Sequence, residues 1–279
     1  MPTTLDRPDA AVTAASTSNA LTPDAAAAVD VAVRLDRVTV AFGQADGTTR
    51  TVLRALTLEV PRGQFLVLVG ASGGGKTTIL NLVAGLVEPA RGEVTVLGTD
   101  PVAARRRAAL MPARDGLLPW RTARRNVEYG MELRGVARSA RRERAERWLA
   151  AVHLSEAADQ WPWQLSQGMR QRVALARTWA LDPELLLMDE PFAALDAQTR
   201  LNVQDEFLRL WQADTRRTVV FVTHDLGEAI ALGDRIVLVG DGGIREDVLV
   251  PFDRPRELAD LATEPGFQQL LARLRARLH

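Results

Sequence analysis

Cysteine is absent from the 279 residues, which excludes disulfides and thiolate-bound metal and permits a reducing compartment. Net charge is absent as well. The 35 basic residues balance 35 acidic ones, so nothing pulls the whole chain toward nucleic acid or an anionic membrane. No apolar run approaches the ~18 residues needed to span a bilayer, and any membrane role is expected to run through a separate partner. Residues 1–32, rich in Ala, Thr, Asp and Pro, lack a basic segment followed by an apolar one. A disordered tail is expected there, not a secretory signal.

Lysine is nearly absent. A single one, Lys76, stands among 35 basic residues and lies within GASGGGKTT. Its compact ammonium on a flexible stem fits where arginine's planar fork does not. Gly70, Ser72, Gly73, Gly74, Gly75, Lys76, Thr77 and Thr78 follow the pattern G-x-x-x-x-G-K-[ST]. In such a loop backbone N–H groups wrap phosphates, the lysine reaches the β/γ oxygens and a hydroxyl meets Mg²⁺. QFLVLVG before it reads as a buried strand, and the spacing of Ile79, Leu80, Leu82, Val83 and Leu86 after it predicts a helix. That helix would aim its N-terminus at the anion.

Apolar strands recur at ELLLMDE and TVVFVTH, while residues 101–165 show arginines and short amphipathic segments without a convincing strand. The arginine run at 105–107 is expected to be exposed and solubilising. The region around Val248 is expected to add a strand, and Phe267, Leu270, Leu271, Leu274 and Leu278 predict an amphipathic terminal helix packed on its own domain. LLLMDE ends in Asp189 and Glu190. At a strand end facing a phosphate loop, one carboxylate would hold Mg²⁺ while its neighbour polarises the attacking water, the alternative being a plain solvated strand end. His224 closes the next apolar run and is the candidate γ-phosphate sensor, with a structural histidine as the alternative. Ser166 and Gly168 precede a helix, either as a plain N-cap or as a second anion site.

GASGGGKTT, LSQGM, LLLMDEP, ALD ending at Asp196, and His224, in this order, resemble the ABC-transporter ATP-binding subunits. The closest likeness is to importers of nitrate, taurine and aliphatic sulfonates, carried by LLPWRT, GMRQR and VTHDLGEA. The resemblance implies an α/β fold: a P-loop NTPase (RecA-like) core with an antiparallel β subdomain and a helical subdomain at about 101–165. The ATPase domain would span 33–245 and a C-terminal extension 246–279. It implies ATP and Mg²⁺, the metal on Thr77 and Asp189, Glu190 and His224 as catalytic residues, and a homodimer sandwiching two ATP molecules.

In that dimer Ser166 and Gly168 of one chain would cover the phosphates bound by the other, and Asp196 would lie across the seam. Phe42 would stack on adenine, against the alternative of a core residue at a strand end. The resemblance further implies two transmembrane permease subunits met at LLPW and, indirectly, an extracytoplasmic solute-binding protein. The site of action would be the cytoplasmic face of the plasma membrane, with no nucleic acid bound. Two positions depart from the pattern. Ala113 stands where the family places a glutamine near Mg²⁺ and water, which motivates a second reading, a regulatory subunit with impaired hydrolysis. Gln167 replaces the usual first glycine of the signature.

Overall fold

Residues 30–44, 47–193, 195–213, 216–254, 256, 261 and 263–278 are described by the computed structural model. Residues 1–29 of the expected tail, Ala194 and His279 lie outside them. The chain runs β1 (Val31–Gly43), β2 (Thr49–Pro61), β3 (Phe65–Val69), α1 (Lys76–Val83), β4 (Arg91–Val96), α2 (Pro101–Ala104) and β5 (Ala108–Met111). The helices α3 (Ala123–Leu133), α4 (Arg138–Ala151) and α5 (Gln167–Trp179) follow, then β6 (Leu185–Asp189), α6 (Ala197–Gln212), β7 (Thr218–Thr223) and α7 (Leu226–Leu232). The last elements are β8 (Arg235–Gly240), β9 (Gly243–Leu249) and α8 (Pro265–Leu278).

Two sheets divide the strands. One has the order β5-β6-β7-β3-β8-β9, parallel throughout except for the β8–β9 hairpin; the other is antiparallel, β2-β1-β4. The continuous apolar runs FLVLV and TVVFVT explain the central positions of β3 and β7, because strands covered on both faces leave no solvent side to alternate toward. Leu66 and Leu68 face the antiparallel sheet and α1, joined there by Leu187, Val220 and Val237. Phe65, Val67 and Val69 face α5, α6 and α7 across a second core. α8 closes that core with Phe267, Leu270 and Leu274 buried and Leu271 and Leu278 packed at its margin. Among the described residues no helix is long and apolar enough to cross a membrane.

Three expectations are corrected. Residues 101–165 do contain a strand. β5 pairs with β6, burying Ala109 and Met111 while Leu110 stays exposed, so the segment from Pro101 to Met111 belongs with the sheet and the helical part begins beyond it. Four residues between arginines are too short to show a period of two. The arginines at 105 and 107 are not simply solubilising. Arg107 places Nε and Nη2 each 2.6 Å from the two Glu184 oxygens, a bidentate fork, and Arg105 donates to the carbonyls of Ala84 and Gly85. The boundary at 245 falls inside β9, whose Val248 pairs with Ile236 of β8.

The second core centres on rings. Phe207 of α6 lies edge-on to Trp179 at 5.1 Å and to Phe65 at 5.8 Å, with Phe192 at 5.9 Å. All four are fully buried. Phe207→Ala is expected to cost about 3–5 kcal/mol, the range for deleting a buried ring and leaving its cavity. A shift of the urea unfolding midpoint checks this, and an unmoved midpoint would mean that the cluster carries little of the stability.

Candidate active site

β6, β7 and β3 are neighbours and parallel, so their C-terminal ends emerge at one edge of the sheet. That places three loops side by side: Gly70–Gly75 after β3, Glu190 after β6 and His224 after β7. Ligand crevices in open α/β sheets lie at this edge.

The glycines are required by contact and by backbone. A Cβ at Gly70 would sit 2.1 Å from the Val239 carbonyl oxygen, and one at Gly75, where φ is +103°, would strike Leu53 Cδ2 at 2.7 Å. With Gly75 in the left-handed region the chain turns directly into α1, whose first residue is Lys76. The Lys76 ammonium donates to the carbonyls of Gly70 at 2.8 Å and Ala71 at 3.0 Å. Burial lowers its pKa from the ordinary lysine value, opposed by the charges of Glu190 and Asp189. Ser72 and Gly73 are exposed at the loop's crest, and Thr78 is half-buried on the first turn of α1.

Asp189 comes up beside Thr77. The threonine Oγ1 is 3.2 Å from both Asp189 carboxylate oxygens and donates to them. Burial raises the Asp189 pKa, the Thr77 hydrogen bond opposes this, and the neighbouring Glu190 charge adds to it. A hydroxyl and a carboxylate are hard oxygen donors, and Mg²⁺ takes one or two of these with waters and phosphate oxygens instead of an all-protein cage. Thr77 Oγ1 and the Asp189 carboxylate, side by side, fit that role.

Glu190 adopts φ +44°, an uncommon backbone for a residue with a side chain. Its N–H donates to the Val222 carbonyl at 2.9 Å, which fixes the loop on β7. Its Oε2 lies 3.2 Å from Nδ1 of His224. Held strain of this kind clusters where a side chain must point to a reacting atom. The carboxylate and the imidazole thus form a pair next to Thr77 and Asp189.

Ala113 follows β5 at the same edge. Met111 pairs with Met188, so residue 113 stands two beyond the pair just as Glu190 does, and its methyl is exposed. Phe42 is 43% exposed near the end of β1, opposite Arg50 of β2, which removes the reading of a core residue. Ser166 caps α5 by accepting the Met169 N–H at 3.2 Å, and a Cβ on Gly168 would meet Thr199 Cγ2 at 2.4 Å. The described contacts of Ser166 and Gly168 are therefore with their own helix and α6, not with the phosphate loop. Asp196 caps α6 through the Thr199 N–H at 3.0 Å, a bond that lowers its carboxyl pKa. In LLPW, Leu117 packs against the helices whereas Trp120 is 69% exposed.

Sequence reasoning missed Arg50 and Val52. They form one wall of a pocket of about 220 Å³ whose other wall is Gly73, Gly75, Lys76 and Thr77. Val52 and Leu53 of β2 pack beside Gly75, which brings the hairpin to the loop; a short polar stretch before an alternating strand carries no such signal.

A family model described as ABC transporter matches residues 53–193. An uncharacterised ABC transporter ATP-binding protein of Methanocaldococcus jannaschii is 42% identical over 229 residues, covering 81% of this chain and 85% of the relative. The aliphatic sulfonates import ATP-binding protein SsuB of Escherichia coli (strain K12) is 45% identical over 227 residues, covering 81% and 86%. Among solved structures, an ATP-binding cassette dimer in a post-hydrolysis state bound to ADP and Pi superposes with a TM-score of 0.72 at 31% identity, covering 79% of this chain and 100% of that one.

Proposed function

The chain belongs to the family of ABC transporter ATP-binding proteins and is an ATPase of that type, and from this premise we propose that it powers an importer of sulfonate, nitrate, taurine or a related small solute. The solute class rests on the likeness to the sulfonate import relatives. The observation that carries the catalytic part is the Glu190–His224 pair at 3.2 Å, standing beside the Thr77–Asp189 pair. Two chains act head to tail, each lending Ser166, Gly168 and Asp196 to the nucleotide of the other. Within the chain the described contacts of those residues are with α5 and α6, which suits a site completed by a second copy. Trp120 supplies exposed apolar surface for a permease at the cytoplasmic face of the membrane.

Lys76 and the loop N–H groups hold the β/γ-phosphates, with Phe42 and Arg50 at the base and sugar end. Mg²⁺, when bound at Thr77 and Asp189, would neutralise charge on the phosphate oxygens. Glu190 takes a proton from water as its oxygen attacks the γ-phosphorus. The bond to the β-phosphate oxygen breaks, ADP departs and inorganic phosphate forms. His224 holds Glu190 and the γ-phosphate in register.

The exposed methyl at Ala113 favours one competing reading, an ATP-binding regulatory subunit. ATP turnover with and without the reconstituted permease decides. The importer reading expects measurable basal turnover that the permease stimulates. Ala113→Gln should then raise it only severalfold, the worth of one added hydrogen bond of about 1 kcal/mol. Negligible turnover in the native chain, restored by Ala113→Gln, would establish the regulatory subunit instead.

A further inference from the structure

Arg200 and Gln204 lie one turn apart on the face of α6 turned toward the start of α7. Gln204 is buried at 5% exposure, and its Nε2 donates to Glu228 Oε1 at 2.6 Å. Thr223, the residue immediately before His224, lies near enough to lower the Glu228 carboxyl pKa. Thr223 Oγ1 in turn accepts the Asp225 N–H at 3.0 Å, and Asp225 Oδ1 caps α7 through the N–H groups of Gly227 at 2.8 Å and Glu228 at 3.1 Å. A second link runs in parallel: Arg200 donates to the Leu195 carbonyl at 3.0 Å and approaches Asp225 Oδ2 at 3.9 Å. His224 is thus flanked on both sides by residues tied to the helix that Asp196 begins.

We propose that Glu228 is a positioning residue for hydrolysis, its carboxyl tying Gln204 on the Asp196 helix to the start of α7 and, through the Asp225 cap and Thr223, setting His224 against Glu190. The bridge rests on the assignment of His224 and Glu190 made above. Through it the position of α6, which starts at the seam with the second chain, fixes the imidazole 3.2 Å from Glu190.

The bridge is sensitive to protonation by construction. Desolvation pushes the Glu228 carboxyl up to about 7, reinforced by the Asp225 charge and opposed by Thr223, Gln204 and Arg200. As a carboxylate it accepts a charge-assisted bond from Gln204, about twice as strong as a neutral one. Once protonated, it offers that amide only a neutral carbonyl oxygen. The bridge is therefore strongest above the Glu228 pKa and weakened as pH falls through it. Glu228→Gln copies the neutral form at nearly the same shape.

Steady-state kinetics of the full chain against pH test this, with urea midpoints measured alongside. The kcat of the native chain relative to Glu228→Gln should climb from near one at about pH 6 to roughly tenfold at about pH 8, the effect of one charge-assisted hydrogen bond. KM for ATP should stay unchanged. Gln204→Ala should lower kcat in the same pH range, again at constant KM. A kcat ratio independent of pH, a change confined to KM, or an unaltered kcat in Gln204→Ala would each overturn the bridge. A native chain without turnover at any pH would overturn the hydrolytic assignment as well.

Discussion

Glu190→Gln is expected to cut ATP turnover by about 10²–10⁴-fold, the contribution of a positioned general base, while leaving ATP binding intact. An amide oxygen cannot carry the proton that attacking water releases. The substitution keeps shape and backbone: Glu190 sits at φ +44°, held by its N–H bond to Val222, and glutamine suffers the same strain there. Loss of the Glu190 charge also removes one of the influences that raise the Asp189 pKa, so Asp189 ionises more readily and the Thr77–Asp189 pair gains as a cation site. Bound ATP that is not consumed should accumulate in paired chains. Size-exclusion chromatography with ATP and Mg²⁺ is expected to show a stable dimer for Glu190→Gln. A variant that turns over at the native rate, or one that stays monomeric while the native chain dimerises, would defeat the assignment.

The residues of this prediction were legible in the sequence because strand ends announce themselves. LLLMDE and TVVFVTH are apolar runs that stop on a charged or titratable group, and parallel pairing of β6, β7 and β3 gathers those stops at one edge. The glycine loop was legible because Gly70 and Gly75 occupy positions a side chain would obstruct. What escaped has the opposite character. β4 is an exposed edge strand with almost no buried side, and β5 is four residues between arginines. Gln204 and Glu228 read as ordinary polar positions on helices, since nothing in a single sequence says that two polar residues 24 apart will share a proton-sensitive contact. Arg50 escaped because its nearness to Lys76 comes from the packing of β2 on the glycine loop. Ser166 and Gly168 were legible as motif, yet within the chain their contacts are with their own helix and α6, and reach to a nucleotide is part of the proposed dimer.

Lys76→Ala is expected to weaken ATP binding by about 30-fold to several thousandfold, because removing one partner of a buried, hydrogen-bonded charge pair costs roughly 2–5 kcal/mol. The ammonium is buried and already turned into the loop, donating to Gly70 and Ala71, so little reorganisation separates it from a phosphate oxygen. The truncation removes both carbonyl bonds along with the charge. Lys76→Arg separates these effects. It keeps the charge, but its planar fork must fit beside carbonyls 2.8 and 3.0 Å from the present ammonium, and it is expected to bind ATP little better than the alanine variant. The pH dependence follows from the lowered Lys76 pKa. A polyphosphate selects the protonated amine and raises its pKa on binding. Affinity is therefore full at neutral pH and is lost as pH climbs through the depressed value, earlier than a free lysine would lose it. Calorimetric titration with a slowly hydrolysed ATP analogue across neutral and alkaline pH measures both effects. Undiminished affinity in Lys76→Ala would remove the phosphate grip on which every other site assignment stands.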